Sequence, residues 1–135
     1  MIGVANLDEP LGGLNISSSQ GPTRDGRTKP EIAAPGTRIV AACGFDPLAQ
    51  WIEMTGTSMA SPYVAGVAAL MLSLDPSLTA AQIRGIMQRT SRPLPGVGYE
   101  WRNDAGFGAI DPAACLREVA RLSEPVDDLT ERLQS

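Results

Sequence analysis

The sequence runs to 135 residues, enough for one domain around one core. At 43% apolar and 19% charged it falls among globular rather than disordered chains, and a net charge of −4 argues against the basic face of a nucleic-acid binder. Histidine is absent, so a mechanism that needs an imidazole base or ligand cannot be completed within this chain.

In chain order, Met1 to Asn6 is mostly apolar and reads as a short strand, ended by a turn-rich stretch over 8–13. Residues 15–30 are polar and loop-like. Ile32 to Ala34 is apolar and is then broken by Pro35-Gly36. Arg38 to Cys43 and Trp51 to Met54 are further strand candidates. From Ser58 to Leu74 the pattern changes to one that is apolar on nearly every side. A helix without a polar face belongs inside a domain or a membrane. Its longest strictly apolar run, Val67 to Leu72, is far short of a span of roughly 18 to 20 residues, so the segment reads as a central, buried helix about 25 Å long.

Asp75-Pro76 ends that helix. Thr79-Ala80-Ala81-Gln82 has the spacing of a capping box, and Leu78 and Ile83 stand where a hydrophobic staple forms. Ile83, Ile86, Met87 and Thr90 share one face, which predicts an amphipathic surface helix over 80–91. A Gly/Pro-rich loop follows from Pro93 to Gly98. Ala105 to Ile110 reads as a short strand or extended turn, and Asp111 with Pro112 opens a last helix through about Leu122. Residues 123–135 differ: four acids and one arginine make an acidic tail, or a short helix with a stripe of Val126, Leu129 and Leu133. The organisation is therefore one unit over 1–122 and a separate segment over 123–135.

Cys43 and Cys115 form no metal-binding spacing and read as buried free thiols, with a disulfide between them as the alternative. The first residues lack a basic stretch followed by a cleavable apolar run, so no signal peptide is visible. No feature points to a membrane partner.

The chemistry concentrates at Gly56-Thr57-Ser58-Met59-Ala60-Ser61-Pro62, where a serine stands at the junction of a turn and an apolar helix. Unpaired N–H groups at a helix start favour negative charge in front of them. An oxyanion formed by attack of Ser58 on a carbonyl would meet the N–H of Ser58 itself. Gly56 permits a sharp turn, and Pro62 removes the donor that the Ser58 carbonyl would otherwise find. Spacing alone, however, favours the plainer reading in which Thr57 or Ser58 caps the helix.

The stretch from Gly56 to Gly66, G-T-S-M-A-S-P-Y-V-A-G, resembles the nucleophile motif of the subtilisin-like serine proteases. Ser18-Ser19-Gln20-Gly21-Pro22, Lys29 to Gly36 and Gly106 to Asp111 resemble further blocks of that family in its order and approximate spacing. The resemblance covers residues 1 to about 122, the C-terminal part of a family catalytic domain. It implies an α/β fold: part of a three-layer α/β/α architecture with a mainly parallel sheet and a central buried helix. It also implies that Ser58 is the nucleophile of a peptidase, that Thr57 lines the oxyanion region and that Met59 packs behind the serine. Met54 and Thr55 would lie near the substrate side chain before the scissile bond. Tyr63 replaces a structural histidine common in the family, and Ser17 stands where an aromatic residue is frequent.

The family's catalytic aspartate, histidine and oxyanion asparagine all precede the matched region. A serine hydroxyl is a poor nucleophile without a base, so the chain alone is expected to be inactive. It is expected to work with an upstream segment that supplies Asp, His and Asn, or to self-associate and bury the same surface. The substrate would be a peptide or protein. No cofactor is required; family members often bind structural calcium, but no Asp-rich ligand run supports a site here. The family is mostly secreted, which is the prior for location. The alternative is a non-catalytic oligomeric or partner-binding module derived from such a protease. A third reading, Ser58 with Lys29 as base, has no supporting motif.

Overall fold

A computed structural model describes residues 1–8, 13–95 and 100–124. Its elements in chain order are β1 (Val4–Leu7), β2 (Ile32–Pro35), β3 (Ile39–Ala42), β4 (Trp51–Met54), α1 (Thr57–Leu74), α2 (Ala80–Arg89) and α3 (Pro112–Ser123). β1 and β2 pair in parallel, Val4 opposite Ile32 and Leu7 opposite Pro35. The segment around Ala109 extends this sheet. The Ala33 N–H donates to the Gly108 carbonyl and the Ile110 N–H to the Ala33 carbonyl, both at 2.8 Å. Arg92 and Ala109 then exchange two bonds of 2.8 Å on the far side. β3 and β4 form a separate antiparallel ribbon, Ile39 opposite Met54.

The alternation of a strand sorts this sheet into two faces. Ile32, Ala34 and Ile110 meet the helices, where Ala60, Val64, Val67 and Met71 of α1 pack with Ile86 and Met87 of α2 and Cys115 and Val119 of α3. Ala5, Leu7 and Ala33 point the other way, onto Leu94, Ala105 and Ala109. β2 lies in the stretch that reads in sequence only as a broken apolar run. Both of its faces are covered, so no polar alternation marks it, and Ala-Ala-Pro has little strand propensity.

α1 touches β1, β2 and α3 and is central to the fold. Its buried positions, Ala60, Val64, Val67 and Met71, make one seam; Tyr63, Leu70, Leu72 and Leu74 stand exposed. The helix is long and apolar enough to cross a membrane by length and composition alone, but its buried seam on the sheet is that of a core helix. The all-round apolar pattern is thus used on one side of the helix, while other apolar side chains along it stand exposed.

α2 starts on the capping box that its sequence predicts. The Gln82 N–H donates to Thr79 Oγ1 at 3.3 Å, and the Thr79 N–H donates to Gln82 Oε1 at 2.8 Å. It ends at Arg89, two residues before the sequence reading, with Thr90 as its C-cap. α3 opens on Asp111, whose carboxylate accepts from the Ala114 N–H at 2.9 Å, with Pro112 in its first turn. Residues 105–110 form bridges rather than a continuous strand. The two cysteines are both free; Cys115 is buried, whereas Cys43, just after β3, is half-buried rather than enclosed. From Pro125 onward the acidic segment lies outside the described residues, as does 96–99 of the Gly/Pro-rich loop.

Candidate active site

β4 ends at Met54, and only Thr55 and Gly56 separate it from α1. Gly56 is the N-cap of the helix at φ 154°, a conformation in which an L side chain is strained, and it offers no side-chain cap. This corrects the capping reading of Thr57 and Ser58. The glycine lets the chain turn one residue earlier, so both lie inside the helix as its first two residues. Ser58 is exposed, and its hydroxyl makes no hydrogen bond among the described residues.

The N–H groups of Met59 and Ala60 both donate to the Gly56 carbonyl, at 3.0 and 3.2 Å. Those of Thr57 and Ser58 have no acceptor within the helix, as for any first turn. They belong to the same first turn as the serine hydroxyl, at the positive end of an 18-residue helix. Such an arrangement can present an oxygen nucleophile and two donors for a developing negative charge. Pro62 lies inside α1 without interrupting it, and it leaves the Ser58 carbonyl without its helical donor.

The turn is held from the sheet. The Gly56 N–H donates to the Gly36 carbonyl at 2.9 Å, and the Gly36 N–H donates to the Leu7 carbonyl at 3.3 Å. The Arg38 N–H donates to Thr55 Oγ1 at 2.9 Å. A Cβ on Gly36 would come within 2.5 Å of Asn6 Oδ1, 2.6 Å of the Gly56 carbonyl oxygen and 2.8 Å of the Ala60 nitrogen. Only glycine fits there. Sequence reasoning placed Gly36 in a family block without seeing that it seats the serine turn, and read Asn6 only as the end of a strand. The Pro-Gly that closes β2 was the available signal.

The other residues singled out in the sequence fall around this turn because they are contiguous with it. Met54 is exposed at the end of β4, Thr55 is tied to Arg38, and Gly56, Thr57 and Met59 are half-buried. Met59 Sδ lies 4.0 Å from where a Cβ on Gly56 would sit. Tyr63 is on the bare seam of α1. Ser17 is exposed and bonded to Asn15, with its neighbour Ser18 accepting from the Asn6 N–H at 3.0 Å. Lys29, the sole lysine, is engaged by the Glu31 carboxylate and by the Met1 carbonyl at 2.8 Å, which leaves it unsuited as a base for Ser58.

Among the described residues no three histidine, thiol or carboxylate side chains converge as metal ligands. Asp25, Glu31, Asp104 and Asp111 each face a cationic side chain.

Comparison with known proteins bears on the family and the fold. The chain is 39% identical over 82 residues to the serine protease AprX of Bacillus subtilis, covering 53% of this chain and 19% of that protein. It is 32% identical over 131 residues to the subtilisin-like protease SBT3 of Solanum lycopersicum, covering 80% of this chain and 17% of the relative. It thus spans about a fifth of the length of these relatives. The CspB protease of Clostridium perfringens superposes with a TM-score of 0.75 at 24% identity, over 93% of this chain and 27% of that one, which establishes the subtilisin-like fold. The model of the subtilase family matches residues 1–111, a stretch that contains both the sheet and the serine turn, and the chain therefore belongs to that family of serine proteases.

Proposed function

We propose that this chain is the nucleophile-bearing segment of a subtilisin-like serine endopeptidase, completed by a second segment that supplies the histidine base, its aspartate and the oxyanion asparagine. One observation carries the reading: Ser58 sits exposed in the first turn of α1, its hydroxyl unengaged among the described residues and two backbone donors beside it. Ser58 Oγ attacks the carbonyl carbon of the scissile peptide and gives its proton to the supplied imidazole. The C–N bond breaks as that proton passes to the leaving amine, and water then releases the acyl group from Ser58. Thr57 and Gly56 border the oxyanion, Met59 backs the turn, and Met54 and Thr55 border the substrate side chain before the scissile bond.

The missing base makes the isolated chain inactive, because loss of one member of such a unit costs orders of magnitude in rate. The bare seam of α1, with Tyr63, Leu70 and Leu74 exposed, is the face that the completing segment covers. The reading carries a secreted location with it, as an expectation from the family. Labelling by a fluorophosphonate tests it. Ser58 is expected to label when the chain is assembled with the upstream segment and not when it is alone. An assembled pair that fails to label, while the chain by itself forms a stable homo-oligomer seen by light scattering, would select the non-catalytic module instead.

A further inference from the structure

Asn6 is fully buried on β1, between the apolar Ala5 and Leu7. The strand's alternation sets it on the helix side of the sheet with Val4. Its Oδ1 lies 3.5 Å from Thr37 Oγ1, whose single proton is better placed for Asp8 Oδ1 at 3.1 Å. Its Nδ2 has no hydrogen-bond partner among the described residues. A buried amide donor left unpaired weakens a fold, and an apolar side chain of similar size at this core position carries no such penalty. The contacts among the described residues therefore give no stability reason for an asparagine here.

Its surroundings supply a different one. The single point where a Cβ on Gly36 would stand lies within 2.8 Å of the Asn6 carboxamide oxygen, the Gly56 carbonyl and the Ala60 nitrogen. Asn6, Gly36 and the first turn of α1 thus converge around one point, which only a glycine leaves open. Asn6 is also fixed along its backbone, its N–H on Ser18 Oγ and its carbonyl accepting from the Asn15 N–H at 2.9 Å.

We propose that Asn6 is a positioning residue for Ser58. Its buried carboxamide, wedged beside Gly36 between β1 and the Gly56–Ala60 turn, sets the direction in which the nucleophile leaves the sheet. The inference rests on the peptidase reading for its consequence in catalysis, but not for the contact itself.

The test compares Asn6→Leu and Asn6→Ala with the parent, each assembled with the completing segment. Two quantities are read: the rate of fluorophosphonate labelling of Ser58, and the exchange rate of the Gly56 amide hydrogen that bonds to Gly36. Asn6→Leu is expected to keep or raise the urea midpoint while labelling slows at least tenfold and Gly56 exchange speeds at least tenfold. A purely structural asparagine would not separate stability from labelling in this way. Labelling within twofold of the parent, or unchanged Gly56 exchange, in either variant overturns the proposal. If the parent itself does not label, the peptidase reading fails, and Gly56 exchange alone then decides whether Asn6 holds the turn.

Discussion

The corner between α2 and α3 and the region around the start of α1 are finished to different degrees. At the corner, Glu118 of α3 takes Arg121 on its own helix at 2.8 Å and Arg89 of α2 at 3.1 Å. Cys115 meets the Thr90 hydroxyl at 3.2 Å, and both helix starts are capped by side chains. At the start of α1 the cap is a bare glycine, the serine is open, and a buried amide lacks a partner among the described residues. Beyond it, Trp51 and Val40 of the β3–β4 ribbon and Leu70 of the helix face outward. Local sequence closes the first region. The second leaves apolar side chains exposed and polar groups unpaired among the described residues, and it is there that the proposed function places the completing segment.

The widest test of that contrast lies within α1 itself. Met71→Ala, in the buried seam, is expected to cost about 2–5 kcal/mol through a lost side chain and a cavity, read by urea unfolding of the chain. Leu70→Ala, one residue away on the bare seam, should change stability by less than about 0.5 kcal/mol, yet weaken assembly with the completing segment in a pull-down. Equal costs for the two in the isolated chain would erase the distinction between the seams. Next comes Gly36→Ala, whose new methyl meets atoms from three elements; overpacking of this kind costs about 1–3 kcal/mol, and labelling of the assembled protein should drop with it. Thr79→Ala removes one capping partner and is expected to cost about 1 kcal/mol. It should leave Ser58 labelling untouched, because α2 closes on local interactions.

The smallest effect is electrostatic. Hydrogen bonds from Arg121, then from Arg89, hold the Glu118 carboxyl well down, to about 2. With the folded value below the unfolded one near 4.5, the pairing stabilises fully above that upper value and fades as pH falls toward 2. Glu118→Gln should therefore lower the thermal midpoint slightly at pH 7 and match the parent by about pH 2. A gap that persists in acid would remove the ion pairs as its cause.

The same contrast decides what could be read from sequence. Capping at Thr79–Gln82 and Asp111–Pro112 is local chemistry with fixed spacing, and it was legible. So were β3 and β4, as short β-branched or aromatic runs between turns. The serine turn was legible as a motif, but its seat was not. Asn6 and Gly36 lie far from Ser58 along the chain, and although Pro35-Gly36 signals a turn, nothing local says that this turn comes to lie beside Gly56. Nor could the pattern of α1 say which of its apolar sides is filled here, because hydrophobicity marks a surface for burial without naming the polypeptide that covers it.

The two sulfurs fall on opposite sides of this divide. Burial pushes the Cys115 thiol up from its ordinary value, and the α2–α3 corner encloses it, while Cys43 stands half-open beside the ribbon. Alkylation needs the thiolate and access to it. Iodoacetamide should thus modify Cys43 in the native chain at once and reach Cys115 only when the corner opens. The molecule carries its own pair of chemical clocks, one for each half.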